Sequence, residues 1–101
     1  MTEERVFIAG AGPVGLSAAA RLIHHGVPVT VFESGPGLAT ESRASTFHPS
    51  TLDMLEEIGA AAPLQAQGLR APHLQYRSKR DGLIARFDFG DIDDLTKHPF
   101  R

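Results

Sequence analysis

A chain of 101 residues can hold one small domain, and its 42% apolar content excludes wholesale disorder. It has no cysteine, which excludes a disulfide framework, a Cys-ligated metal centre and a thiol nucleophile. A formal net charge of −2 gives no general attraction to nucleic acid or anionic lipid, and no apolar run nears the roughly 20 residues of a membrane span.

The N-terminal residues Met1 to Arg5 are acidic and lead into only a short apolar run, unlike a secretory signal. That start and the missing cysteines give the expectation of a cytoplasmic protein. Val6-Phe7-Ile8-Ala9 is continuously apolar and reads as a strand buried on both faces of a parallel sheet. A glycine-rich turn from Gly10 to Gly15 follows. From Pro13 to His25 the chain is alanine-rich, with a broad apolar stripe through Val14, Leu16, Ala18, Ala19, Leu22 and Ile23. Pro13 suits a first helical turn and Gly26 the C′ position just past a helix end. Val29 to Phe32 is the next strand, completing a βαβ unit whose crossover should be right-handed.

Ser34 to Pro49 is loop. Ser50 reads as a cap for a helix carrying Leu52, Leu55 and Ile58 on one face, with Asp53 in a weak capping box and Gly59 as the stop. Ala60 to Gly68 suggests a short helix interrupted at Pro63. His73–Ser78 and Leu83–Phe89 read as hairpin strands around Arg80-Asp81-Gly82, with Leu83, Ala85, Phe87 and Phe89 on one apolar face. Gly90 to Arg101 shows no periodicity. Residues 70–86 carry a net charge of +4 and residues 87–94 one of −4, which suits a solvated hairpin with opposite charges facing each other.

Gly10-Ala11-Gly12-Pro13-Val14-Gly15 matches G-x-G-x-x-G. The first glycine lets the chain turn out of the strand, the second lets backbone approach a pyrophosphate, and the third lets helix and strand pack closely. The phosphates would lie at the helix N-terminus, so Pro13 and Val14 join the three glycines as candidate cofactor residues. Glu33 follows Gly15 by 18 residues, near the expected spacing of about 20 for an acid on the adenosine ribose. Its charge would repel a 2′-phosphate and so argues against NADP at this site. The pattern alone leaves FAD and NAD both open. The five histidines show no metal-ligand spacing, and each is expected to be solvated or capping.

Ser42-Arg43-Ala44-Ser45-Thr46 and then Thr51-Leu52, Leu55 and Gly59 resemble the second characteristic stretch of the FAD-dependent aromatic hydroxylases, the family typified by para-hydroxybenzoate hydroxylase. The resemblance implies an α/β fold: the N-terminal part of a Rossmann-like FAD-binding domain, with a βαβ unit, a further helix and an antiparallel β-hairpin. On this reading residues 1–101 are a partial FAD-binding domain, and 72–90 begin a substrate-domain hairpin. The resemblance implies FAD on Gly10, Gly12, Gly15, Glu33 and Arg43, with Arg43 on the phosphate and ribityl side. It implies NADPH or NADH as transient co-substrate and a small aromatic substrate hydroxylated with O₂. The flavin carries that chemistry, so no residue here is assigned as catalytic.

The family's chains run to several hundred residues. Asp81-Gly82 and Gly90-Asp91 look like its later motifs but come far too early, and read as hairpin and loop. The expectation is an N-terminal fragment, inactive alone, whose two-stranded ribbon leaves Val6, Ile8, Val29 and Val31 partly bare, so that the chain is marginally stable or needs a partner, with self-association and a complementing chain both open. Three alternatives stay open: another FAD-dependent oxidoreductase, an NAD-dependent dehydrogenase in which Arg43 has no role, and a non-catalytic nucleotide-binding or interaction module.

Overall fold

The computed structural model describes residues 4–41 and 46–101, and the chain divides into two compact units, residues 1–44 and 45–101.

The first unit is the expected βαβ. Strand β1 (Val6–Ala9) leads through the glycine turn into helix α1 (Pro13–His24), which returns to strand β2 (Val29–Phe32). The strands pair in parallel, with Val6 opposite Val29 and Ala9 opposite Phe32. Helix α1 buries Ala19. It ends in a Schellman turn: Gly26 has φ +76°, its N–H donates to Ile23 O, and Val27 N–H donates to Leu22 O. The strands have the composition of a doubly covered sheet, but Val6, Ile8, Val29 and Val31 are all partly bare, as expected for a ribbon of two strands. Phe7 and Phe32 are 67% and 55% exposed, because a two-stranded ribbon has one helix to cover it and two open edges. The 101-residue chain should therefore melt below about 45 °C, at or under the lower edge of ordinary small domains. Circular dichroism checks this, and a cooperative transition well above that temperature refutes it.

The second unit contains α2 (Pro49–Glu57), α3 (Ala61–Gln67), β3 (His73–Ser78), β4 (Gly82–Asp88) and a 3₁₀ turn (Phe89–Ile92). Helix α2 starts one residue before the expected cap. His48 is its N-cap, Pro49 holds the first position, and no side chain caps it. Asp53 instead accepts a hydrogen bond from Thr96 Oγ1 at 2.7 Å. The helix closes as α1 does, with Gly59 at φ +76° and Ala60 N–H donating to Leu55 O. Pro63 does not interrupt α3. It sits in the first turn, where its missing N–H has no intrahelical partner to lose.

The hairpin is antiparallel, but a bulge lies between the Tyr76–Ala85 and Arg77–Leu83 pairs. Ile84 is the extra residue, so Leu83 leaves the Ala85/Phe87 face and the simple alternation fails there. Phe89 begins the 3₁₀ turn instead of ending the strand.

The core of this unit is small: Leu52, Leu55, Ala61 and Phe100, with His98 buried among them. Gln65 Nε2 can only donate, so His98 Nδ1 accepts from it at 2.9 Å. The ring proton then sits on Nε2 and is donated to Glu56 Oε2 at 3.1 Å. One imidazole thus ties the chain's last residues to both helices. His98 is neither solvated nor a cap, contrary to the expectation for it. His98→Ala should destabilise the chain by about 2 kcal/mol, the scale for losing one charge-assisted and one neutral hydrogen bond. A urea midpoint unchanged in the variant would refute this.

Candidate functional site

The glycine turn lies where both parallel strands end. Gly10 has φ +106°, a left-handed conformation costly for any residue with a Cβ, and turns the chain out of β1. Its N–H donates to Phe32 O at 2.7 Å, which fixes the turn against the end of β2. Glu33 is the next residue along. The turn and the acid thus sit side by side at the carboxyl ends of adjacent parallel strands, the edge at which open α/β sheets bind ligands.

Helix α1 begins with Gly12 as N-cap. No side chain caps it and its first turn carries no acid. The first intrahelical bond runs from Leu16 N–H to Gly12 O, so the N–H groups of Val14 and Gly15 have no partner inside the helix. Oriented N–H groups and the positive end of the helix dipole together make a site for an anion.

The glycines divide by what a side chain would meet. A Cβ on Gly15 would lie 2.0 Å from Gly10 O and 3.3 Å from Ile8 Cγ2, so the protein itself requires glycine there. Gly12 is different. Its φ of −78° suits any residue, and a Cβ there would meet no atom of the described residues within 4 Å. Neither its conformation nor packing among the described residues calls for glycine. A group lying against the backbone does, as the second glycine of the motif would require for a pyrophosphate. These residues therefore fit the diphosphate of FAD.

Pro13 opens the helix without removing a needed donor, and Val14 beside it is 84% exposed, an apolar side chain left uncovered by its own unit. The Glu33 carboxylate is exposed and accepts from Ser34 N–H at 3.1 Å, which holds it at the strand end. The structure thus brings Gly10, Gly12, Pro13, Val14, Gly15 and Glu33 to one end of the ribbon. Arg43 lies outside the described residues.

Asp53, Glu56 and His98 each offer a potential ligand atom, all within 4.8 Å of one another. The histidine spacing gave no sign of this cluster. Its hydrogen bonds account for it fully: Asp53 to Thr96, Glu56 to His98, and His98 to Gln65. It is the clasp of the second unit. Among the described residues, no helix is long and apolar enough to cross a membrane.

The family model described as "FAD binding domain" matches residues 3–95. The para-nitrophenol 4-monooxygenase of Pseudomonas sp. (strain WBC-3) is 31% identical over 99 residues, which is 98% of this chain and 25% of that protein. The 6-methylpretetramide 4-monooxygenase of Streptomyces rimosus is 41% identical over 96 residues, covering 95% of this chain and 17% of the relative. Among solved structures, the p-nitrophenol 4-monooxygenase of Pseudomonas putida DLL-E4 matches with a TM-score of 0.87 and 33% identity, over 96% of this chain and 25% of that one. The chain spans a quarter or less of the length of these relatives. It belongs to the FAD binding domain family of the aromatic-compound flavoprotein monooxygenases.

Proposed function

We propose that this chain is the FAD-binding N-terminal portion of a monooxygenase that hydroxylates a small aromatic or related unsaturated substrate, with NADH or NADPH as electron donor. The observation that supports the proposal is Gly12, whose backbone conformation suits any residue and beside which, among the described residues, no atom would meet an added Cβ, which leaves room for a bound group in the motif position that needs it. FAD supplies the redox and oxygen chemistry when bound. The residues of this chain bind and orient it. Gly10 shapes the turn and Gly12 leaves room for the pyrophosphate. Pro13, Val14 and Gly15 form the helix end whose N–H groups face the phosphate charge. Glu33 accepts hydrogen bonds from the adenosine ribose hydroxyls. Arg43 pairs with the cofactor on its phosphate and ribityl side, a role that suits a planar guanidinium fork. The hairpin of residues 72–90 begins the part that covers the substrate. The lack of cysteine suits a reducing compartment such as the cytoplasm.

Titration of FAD into the 101-residue chain, followed by flavin fluorescence, tests the assignment. Arg43→Ala should weaken binding by about 1–3 kcal/mol, roughly five- to 150-fold, the scale for one charge-assisted hydrogen bond. Glu33→Ala should weaken it less, since the ribose contact is a neutral donor to an exposed carboxylate. If Arg43→Ala leaves affinity unchanged, or if NAD binds more tightly than FAD, the hydroxylase reading fails in favour of a dehydrogenase-like nucleotide site.

A further inference from the structure

The β3–β4 hairpin is a sheet of two strands, and its two outer edges differ. Phe89 N–H donates to Pro72 O at 2.9 Å, which fixes the parity of the ladder. Backbone groups of successive residues point alternately toward and away from the neighbouring strand. Ala85 and Phe87 therefore point theirs at β3, and Arg86 and Asp88 point theirs outward. The same parity turns Ala71 outward on the other side, where it exchanges backbone bonds of 2.8 and 3.0 Å with Arg101. The β3 edge is thus covered where it begins. Among the described residues, the outward groups of Arg86 and Asp88 have no backbone partner.

The side chains along this edge sort by face. Phe87 and Tyr76 lie on one face, each more than half exposed, with their rings 5.9 Å apart at 89°. Arg86 and Asp88 lie on the other, both exposed. Arg86 bonds the His73 ring at 3.0 Å, and Asp88 stands 3.6 Å from it. Exposed contacts of this kind are weak and leave both charges open to another partner.

We propose that the β4 edge pairs with the same edge of a second copy of this chain, about a twofold axis at Phe87, joining two hairpins into one antiparallel sheet. Charge chooses the register. A register centred on Arg86 sets two arginines opposite each other, and one centred on Asp88 sets two aspartates opposite each other; both repel. A register centred on Phe87 sets Arg86 opposite Asp88 of the second copy and, by symmetry, Asp88 opposite Arg86 of the second copy. Both members of each such pair have outward N–H and C=O groups, so each pair exchanges both backbone bonds. The two Phe87 side chains then meet across a non-hydrogen-bonded pair, where side chains come closest. With the Tyr76 rings beside them they make one apolar strip. A lone hairpin is marginal in water, and an open edge is a template for a further strand. None of this draws on the glycine turn or on flavin, so the interface stands or falls apart from the hydroxylase reading.

Sedimentation velocity on the 101-residue chain, at low temperature and over a wide range of concentration, should show a monomer–dimer equilibrium. Amide hydrogen exchange at Arg86 and Asp88 should slow as the dimer forms. Arg86→Glu turns both charge pairs repulsive and should weaken dimerisation by about tenfold or more. Asp88→Lys should do the same. In an equimolar mixture of these two variants every introduced charge faces its opposite, and the dimer should return. A chain that stays monomeric at every concentration overturns the proposal. So does a dimer that Arg86→Glu leaves intact, or one in which the Arg86 and Asp88 amides exchange as fast as in the monomer; either result puts the second copy on another surface, such as the exposed Phe7–Phe32 face. The amide measurement needs no variant, so it decides the matter even if Asp88→Lys, which loses the bond from Gly90 N–H, fails to fold.

Discussion

Gly12→Ala is expected to leave the stability of the flavin-free chain unchanged and to weaken FAD binding by about ten- to a hundredfold. The stability half follows from geometry. The residue already has a φ that alanine adopts freely, and among the described residues the added Cβ meets nothing within 4 Å. Loss of glycine's extra freedom in the unfolded chain could even add a few tenths of a kcal/mol of stability. The affinity half follows from what the open space is for. A methyl group there holds the pyrophosphate off the helix end and weakens at least one charge-assisted hydrogen bond, each on the scale of 1.5–3 kcal/mol. Thermal melts and flavin titrations of the same preparation check both halves. A variant that binds FAD as tightly as the parent chain shows that no ligand lies against Gly12.

Gly15→Ala is expected to behave in the opposite way, destabilising the chain by about 3 kcal/mol and abolishing FAD binding along with the turn. A Cβ 2.0 Å from a carbonyl oxygen cannot be accommodated without moving backbone. That oxygen belongs to Gly10, whose N–H is tied to Phe32, so the strain reaches the pairing of turn and sheet. Urea denaturation with and without FAD measures the loss. A midpoint equal to that of the parent chain would show that helix and strand are not in close contact here. The pair separates two reasons for a glycine: at position 12 the space belongs to the ligand, and at position 15 to the protein.

Much of the first unit was legible in the sequence because its determinants are local. The turn at Gly10 and the helix stop at Gly26 are properties of single residues, as is the stop at Gly59 in the second unit, and the structure has all of them. Features set by distant contacts were not legible. Asp53 looks like part of a capping box until Thr96, far along the chain, takes its carboxylate. His98 has no neighbour in sequence to mark it, since Glu56 and Gln65 reach it only through folding. The bulge at Ile84 follows from strand register, which an alternating pattern does not encode. The openness of β1 and β2 was legible once the length of the chain was set beside the apolar strands, because a lone two-stranded ribbon cannot cover its own faces and edges. For Arg43 the sequence remains the whole argument.

The two Schellman turns have a consequence for how such a segment can be handled by evolution. Each long helix carries its own full stop: a glycine in a left-handed conformation and a pair of backbone bonds made within a few residues. Neither end depends on what the chain does next. A piece punctuated in this way can be cut, joined or placed beside new sequence without its helices running on or fraying back. It keeps its local grammar in whatever longer sentence it is set.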